Sequence, residues 1–288
     1  MTRMRFVTFE SNGQARPGVI SPVDTVLDLS PLGFTTLLDF IEAGPKSLDD
    51  ARTLAQESSA STQPRLSEVK LLAPIPRPRK LLCVGLNYRD HAKETNSPIP
   101  DVPTIFNKLA TAVIGPGDKI VLPKVSKSPD YEAEFAFIIG RGGRHIRGED
   151  WRAHVFGYTI VNDVSARDYQ RATTQWLMGK TFDTFAPMGP WIITADEIPD
   201  PHNLDVQIDI NGEILQNSNT RELIFKIPDL IAFLSSVFTL EPGDIVSTGT
   251  PAGVGVARTP PRFLRPGDDV RVKIPAIGEL RNPVVAET

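Results

Sequence analysis

The chain has one cysteine, Cys83, in 288 residues, so an intrachain disulfide is excluded and a reducing compartment, taken to be the cytoplasm, is expected. Cys83 lies in Leu81-Leu82-Cys83-Val84 and reads as a small buried hydrophobe. No apolar run approaches the ~18 residues of a membrane span. Met1-Thr2-Arg3-Met4-Arg5-Phe6 carries no signal-peptide h-region. There is no block of like charge, and the net charge is only −4. That argues against nucleic acid and against an anionic membrane as partners. Internal repeats and heptads are also missing.

Proline and glycine, by contrast, are plentiful, at 26 and 21 residues. They suit many short strands joined by turns better than a helical bundle. Residues 4–10 and 18–29 read as strands separated by a turn at Asn12-Gly13. Thr35 to Ala43 and Ser47 to Glu57 read as helices, with Ser47 and Asp50 resembling a capping box. Residues 58–66 form a polar linker. The alternating prolines 74, 76 and 78 then require an extended crossover. A small N-terminal α/β domain is therefore expected over 1–70 and a catalytic domain over 71–288. Strand candidates in the second are 80–84, 104–107, 112–114, 119–122, 131–139, 156–163, 188–193, 204–210, 244–247 and 269–274. Asn211-Gly212 marks a hairpin. Ile227 to Phe238 is the clear amphipathic helix, with Leu230, Ile231, Leu234 and Val237 as its stripe. The sum is a β-rich α+β fold with a few peripheral helices.

The chemistry centres on Tyr131 to Gly140. As a strand it points Glu132 and Glu134 the same way. Two such carboxylates repel each other and resist burial unless a cation joins them. Asp163, at the end of another strand-like run, offers a third carboxylate. Oxygen donors of this kind suit Mg²⁺, then Mn²⁺ or Ca²⁺. A solvated strand face with unrelated acids is the competing reading. His91 and Glu94 fall on one face of a short helix after Asn87, where the carboxylate would raise the basicity of the imidazole; a surface pair is the alternative. Arg167 and Gln170 lie one turn apart after Asp163, and Arg167 could grip a substrate carboxylate; a solvent-exposed helix start is the alternative. Lys180, in Trp176-Leu177-Met178-Gly179-Lys180, could meet an oxyanion or could snorkel at the surface. The run Thr248-Gly249-Thr250-Pro251-Ala252-Gly253-Val254-Gly255 lets backbone approach a ligand but is not a P-loop.

Taken in order, these stretches resemble the fumarylacetoacetate hydrolase family. The matching pieces are Gly85-Leu86-Asn87-Tyr88 with His91 and Glu94, Glu132-x-Glu134, Asn162-Asp163 with Arg167 and Gln170, Gly179-Lys180, and Thr248 to Gly255. The resemblance implies a twisted β-sandwich or β-roll core and a homodimer. It implies Mg²⁺ or Mn²⁺ on Glu132, Glu134 and Asp163, and a His91–Glu94 dyad on a lid. It also implies catalytic work for Lys180 and substrate contacts from Arg167, Gln170, Thr250 and Tyr88. The expected substrate is a small 2-oxo acid. C–C bond hydrolysis of an acylpyruvate is the first expectation. Decarboxylation or tautomerisation of an oxaloacetate-like acid is the second, and a non-catalytic keto-acid binder the third.

Overall fold

The computed structural model describes residues 4–57 and 63–288; most of the polar linker, 58–62, lies outside the described residues. Strands β1 (Arg5–Ser11), β2 (Gln14–Ile20) and β3 (Val26–Asp28) form an antiparallel meander. Asn12 and Gly13 both take positive φ, the pair of left-handed residues that a tight hairpin requires. Helices α1 (Leu37–Glu42) and α2 (Pro45–Glu57) follow. The capping box expected at Ser47 sits one helix earlier, where Thr36 and Asp39 cap each other's backbone. Helix α2 begins at Pro45, a residue whose fixed φ suits the first turn, and the Ser47 hydroxyl bonds back to the carbonyls of Phe40 and Gly44.

The remaining elements in chain order are β4 (Leu71–Leu72), β5 (Leu81–Gly85), α3 (Arg89–Glu94), β6 (Thr104–Asn107), β7 (Val113–Ile114), β8 (Ile120–Leu122), β9 (Pro129–Asp130), β10 (Ala133–Ile139), β11 (Val155–Asn162) and β12 (Ser165–Ala166). Then come α4 (Arg167–Gln170), α5 (Leu177–Lys180), β13 (Ala186–Thr194), β14 (Asp205–Ile210), β15 (Glu213–Asn219), α6 (Ile227–Val237), β16 (Ile245–Ser247), β17 (Asp269–Ile274) and β18 (Gly278–Ala286). The larger sheet runs β3-β2-β1-β13-β11-β10-β16-β5-β6, with β4 beside β1 and β7 beside β13. The smaller runs β15-β14-β17-β18-β8. Strand β18 was not expected; Asn282-Pro283 interrupts its apolar pattern. Along α6, Leu230, Ile231 and Leu234 are buried as expected, but Val237 is exposed, since the helix ends there.

The two sheets pack as a sandwich. Phe135, Phe137, Tyr158 and Ile160 of the larger sheet meet Val206, Ile208, Val270 and Val272 of the smaller. The opposite face of β10 and β11 is covered as well. There Ala136, Ile138 and Val161 pack with Phe6, Leu37, Phe40 and Phe156. The N-terminal segment thus shares a core with the central strands, and β1 pairs with β13 at Arg5↔Ile193 and Phe6↔Ile192. Burial on both faces explains why β10 is apolar almost throughout. The exceptions, Glu132 and Glu134, continue the face of Ala136 and Ile138 past the end of that apolar layer.

Candidate active site

Strands β10 and β11 are antiparallel, with Ala133 opposite Asn162, so the start of one lies beside the end of the other. The Asp163 amide donates to the Glu132 carbonyl at 2.9 Å. This register brings together Glu132, Glu134 and Asp163, each offering a carboxylate oxygen within 4.8 Å of the others, all of them buried. Lys180 Nζ, on the short helix α5, donates to Glu132 Oε2 and Asp163 Oδ2, each at 2.7 Å. Lys108 Nζ donates to Asp163 Oδ1 at 2.5 Å. Arg167 donates through Nε to Asp130 Oδ2 at 2.8 Å and through Nη1 to Gln170 Oε1 at 2.9 Å. Its Nη2 lies 2.6 Å from Glu132 Oε1 in a buried ion pair. Glu134 Oε2 accepts from Ser247 Oγ at 2.5 Å and from the Gly249 amide at 3.1 Å.

The charges explain each other. Asp130, Glu132, Glu134 and Asp163 face Lys108, Arg167 and Lys180, all with little or no exposure. Burial alone would raise the Glu132 carboxyl, but Arg167 and Lys180 hold it well below the usual range. Glu134 has no such cation against it. Burial, then Asp163 and Glu132, push its carboxyl well above the usual value. Burial works against the Lys180 ammonium, but Asp163 and Glu132 hold its pKa above the usual lysine value. A buried, all-oxygen set whose third member cannot easily ionise alone is what a hard divalent cation would complete, so these residues fit Mg²⁺ or Mn²⁺.

Above this floor is a cavity of about 470 Å³. His91, Glu132, Glu134, Arg167, Gln170, Lys180 and Thr250 are on its wall, with Phe106 and Trp176 as apolar neighbours. His91 comes from α3, and its Nδ1 lies 3.1 Å from Glu94 Oε2. Glu94 Oε1 in turn accepts from the Gly253 amide at 2.8 Å. Gly253 has φ +105°, and a Cβ there would meet the Leu215 carbonyl at 2.1 Å, so only glycine lets this turn reach Glu94. Thr250 Oγ1 donates to the Ala133 carbonyl at 3.1 Å and accepts from Gln216 Nε2 at 2.8 Å. Asp163 lies behind the wall, fully buried. Tyr88 departs from expectation. It is fully buried, off the cavity wall, with its backbone bridged to Leu223.

Two functional groups escaped the sequence. Lys108 stands in Asn107-Lys108-Leu109 after an edge strand, and Asp130 in Pro129-Asp130 just before the Glu132–Glu134 strand. Asp130 is in fact a hub. Besides Arg167 it accepts from the amides of Tyr131, Gly255 and Val256, at 2.9, 2.8 and 3.0 Å. An acid two residues before Glu-x-Glu was the one available signal.

Fold and site together define a β-sandwich enzyme with a cation-clamped carboxylate cluster. Residues 80–285 match the family described as fumarylacetoacetate (FAA) hydrolase C-terminal, and the chain belongs to that family. It is 46% identical over 290 residues to the oxaloacetate tautomerase fahd2, mitochondrial, of Xenopus laevis, covering 98% of this chain and 90% of that one. It is 42% identical over 300 residues to the oxaloacetate tautomerase YisK of Bacillus subtilis, covering 98% and 100%. Among solved structures, the fumarylacetoacetate hydrolase of Exiguobacterium antarcticum superposes with a TM-score of 0.86 at 38% identity, over 99% of this chain and 100% of that one. The maleylpyruvate hydrolase of Sphingobium sp. SYK-6, in complex with manganese(II) ion and pyruvate, gives 0.83 at 32%, again over 99% and 100%. The expectation of a cytoplasmic location does not stand, because the Xenopus relative and its mammalian counterparts are named mitochondrial. A single cysteine rules out an intrachain disulfide but does not tell one reducing compartment from another.

Proposed function

We propose that this enzyme interconverts the keto and enol forms of oxaloacetate or a closely related 2-oxo acid, with Mg²⁺ or Mn²⁺ held by Glu132, Glu134 and Asp163. The observation that carries the reading is the buried Lys180 ammonium, 2.7 Å from both Glu132 and Asp163. The relatives named oxaloacetate tautomerase support it. A divalent cation bound there supplies Lewis-acid polarisation of the 2-oxo group.

The chain's own residues do the rest. Arg167 and Gln170, both on the cavity wall, orient the carboxylate next to the 2-oxo group. An ionised Glu94 can only accept, so the His91 proton is assigned to Nδ1 and the lone pair to Nε2. Nε2 takes a proton from C3. The electron pair of that C–H bond moves into the C2–C3 bond, and the charge gathers on the 2-oxo oxygen, where Lys180 meets it. A proton from water on that oxygen completes the enol, His91 returns its own to solvent, and no C–C bond breaks.

Hydrolysis of an acylpyruvate, the first expectation from the sequence, becomes the second reading. The same dyad could activate water, and the likeness to a maleylpyruvate hydrolase supports it. In D₂O with Mg²⁺, tautomerisation predicts catalysed exchange of the C3 hydrogens of oxaloacetate, followed by NMR, and faster enol–keto relaxation without matching pyruvate release. Cleavage of acetylpyruvate to acetate and pyruvate, outpacing any exchange with oxaloacetate, would instead establish the hydrolase.

A further inference from the structure

We propose that Arg171 reads the distal carboxylate of the substrate and so selects 2-oxo dicarboxylic acids over 2-oxo monocarboxylates. This rests on the reading of the cavity as a 2-oxo acid site and adds the group that chooses among such acids. Arg171 caps α4, its amide donating to the Arg167 carbonyl at 3.1 Å. Residues four apart in a helical turn stack on one face, so Arg167, Gln170 and Arg171 rise from the floor to the mouth of the cavity, and all three line it.

The two arginines differ in what already holds them. Arg167 is 6% exposed and its charge is engaged by Asp130 and Glu132. Arg171 is exposed at the mouth. Among the described residues no carboxylate lies within ion-pair distance of it, so its charge remains for a ligand. The helical turn between the two spans about 5.4 Å, comparable to the reach of a four-carbon dicarboxylic acid. With the head carboxylate on Arg167 and Gln170, the far end points outward toward Arg171. Trp176 and Phe106, also on the wall, meet edge-on, 5.5 Å between ring centroids, and the Lys180 ammonium over Phe106 is already engaged by Glu132 and Asp163. Helix α4 is also fixed from behind, because a Cβ on Gly179 would stand 2.4 Å from the Gln170 amide nitrogen. The spacing of the two arginines is therefore built in.

The test is calorimetry with Mg²⁺ on wild type, Arg171→Ala and Arg171→Lys. The probes are oxalate (the head alone), oxaloacetate, and 2-oxobutyrate, which has the same carbon count without the second carboxylate. Wild type should prefer oxaloacetate to 2-oxobutyrate. Arg171→Ala should weaken oxaloacetate about 10- to 100-fold, the loss expected for one charge-assisted contact, and leave oxalate and 2-oxobutyrate unchanged. Arg171→Lys should recover part of the loss. An unchanged preference in Arg171→Ala overturns the proposal. So does equal weakening of oxalate, which would make Arg171 a support of the pocket. Failure of wild type to catalyse C3 exchange, with the preference intact, would sink tautomerisation and spare Arg171.

Discussion

The floor and the mouth of the cavity are built differently. The floor carboxylates project from the ends of β10 and β11, strands buried on both faces, and each is held by two buried groups, counting the Arg167–Glu132 ion pair. The mouth rests on α3 and α4, helices of one turn or little more, whose outward residues His91, Gln170 and Arg171 are partly or fully exposed. The floor needs fixed charges at fixed distances, which only a core can supply. The mouth must admit substrate and move protons, so its working groups stand at partly exposed positions beside the largely exposed 95–103 stretch. Chemistry is thus divided by depth, with charge stabilisation below and proton transfer and selection above.

The sharpest way to break the floor is to neutralise it without changing its shape. Glu132→Gln with Glu134→Gln should abolish Mg²⁺ binding by calorimetry and remove activity. Glutamine is the better choice than alanine, because truncation would add a cavity to the loss of charge. Even so, Arg167 and Lys180 lose a partner, and breaking a buried pair costs about 3–5 kcal/mol. A drop in thermal stability should accompany the loss of metal. Retained Mg²⁺ affinity in a folded double variant would mean that the cation sits elsewhere.

The mouth should behave in the opposite way. His91→Ala should lower the rate by about 10²–10⁴-fold, the usual worth of a general base. Melting temperature, Mg²⁺ affinity and oxalate affinity should stay near wild type, because His91 touches no floor residue through a hydrogen bond. A loss of less than about tenfold would remove His91 from the proton transfer. A parallel loss of metal binding would collapse the distinction between floor and mouth.

The same division decides what the sequence made legible. Glu132 and Glu134 could be paired from strand periodicity alone, and Asp163 from its place at a strand end, because sheet geometry is regular. His91 with Glu94, and Arg167 with Gln170, could be paired from helical spacing. Lys108 and Asp130 could not. Each reaches the site from a segment with no periodicity, recruited by a tertiary contact to Asp163 or to Arg167. Tyr88 misled for the opposite reason. It stands in a recognisable motif near His91, but it is fully buried and off the cavity wall. Likewise the fold class followed from turn-rich composition, whereas β18 did not, since Pro283 sits in a strand that pairs on both sides.

A smaller effect should appear in the pH dependence of metal binding. Burial, Asp163 and Glu132 raise the Glu134 carboxyl, so below that raised value the metal-free site holds a proton that the cation must displace. Mg²⁺ affinity should therefore rise with pH, by up to about tenfold per unit for one displaced proton, and level off once Glu134 ionises unaided. Glu132 adds nothing to this slope at neutral pH, because its carboxyl is held low. Calorimetry in two buffers of different ionisation enthalpy reads the proton directly. Release of close to one proton is expected, and pH-independent binding without release would show that Glu134 is already charged.

The smallest effect concerns the mouth itself. A mobile lid over 88–100 is expected from its polar sequence, but the structure divides that stretch. Asn87 bonds the Thr248 and Phe225 carbonyls through Nδ2 and accepts from the Phe225 amide, and Tyr88 is wholly buried. Asp90 accepts from Ser218 Oγ at 2.5 Å. The root of α3 is therefore anchored. Past it, Ile99 and Val102 are 53% and 61% exposed, and a chain that buries so little apolar area has little to hold it shut. In hydrogen exchange, amides of 95–103 should exchange fast in the free protein, those of α3 more slowly, and those of β10 and β11 slowest. Oxalate and Mg²⁺ added together should slow 95–103 by severalfold and leave β10 and β11 unchanged. Equal protection across 88–103 without ligand would mean that the mouth is as rigid as the floor, and that substrate enters without a moving part.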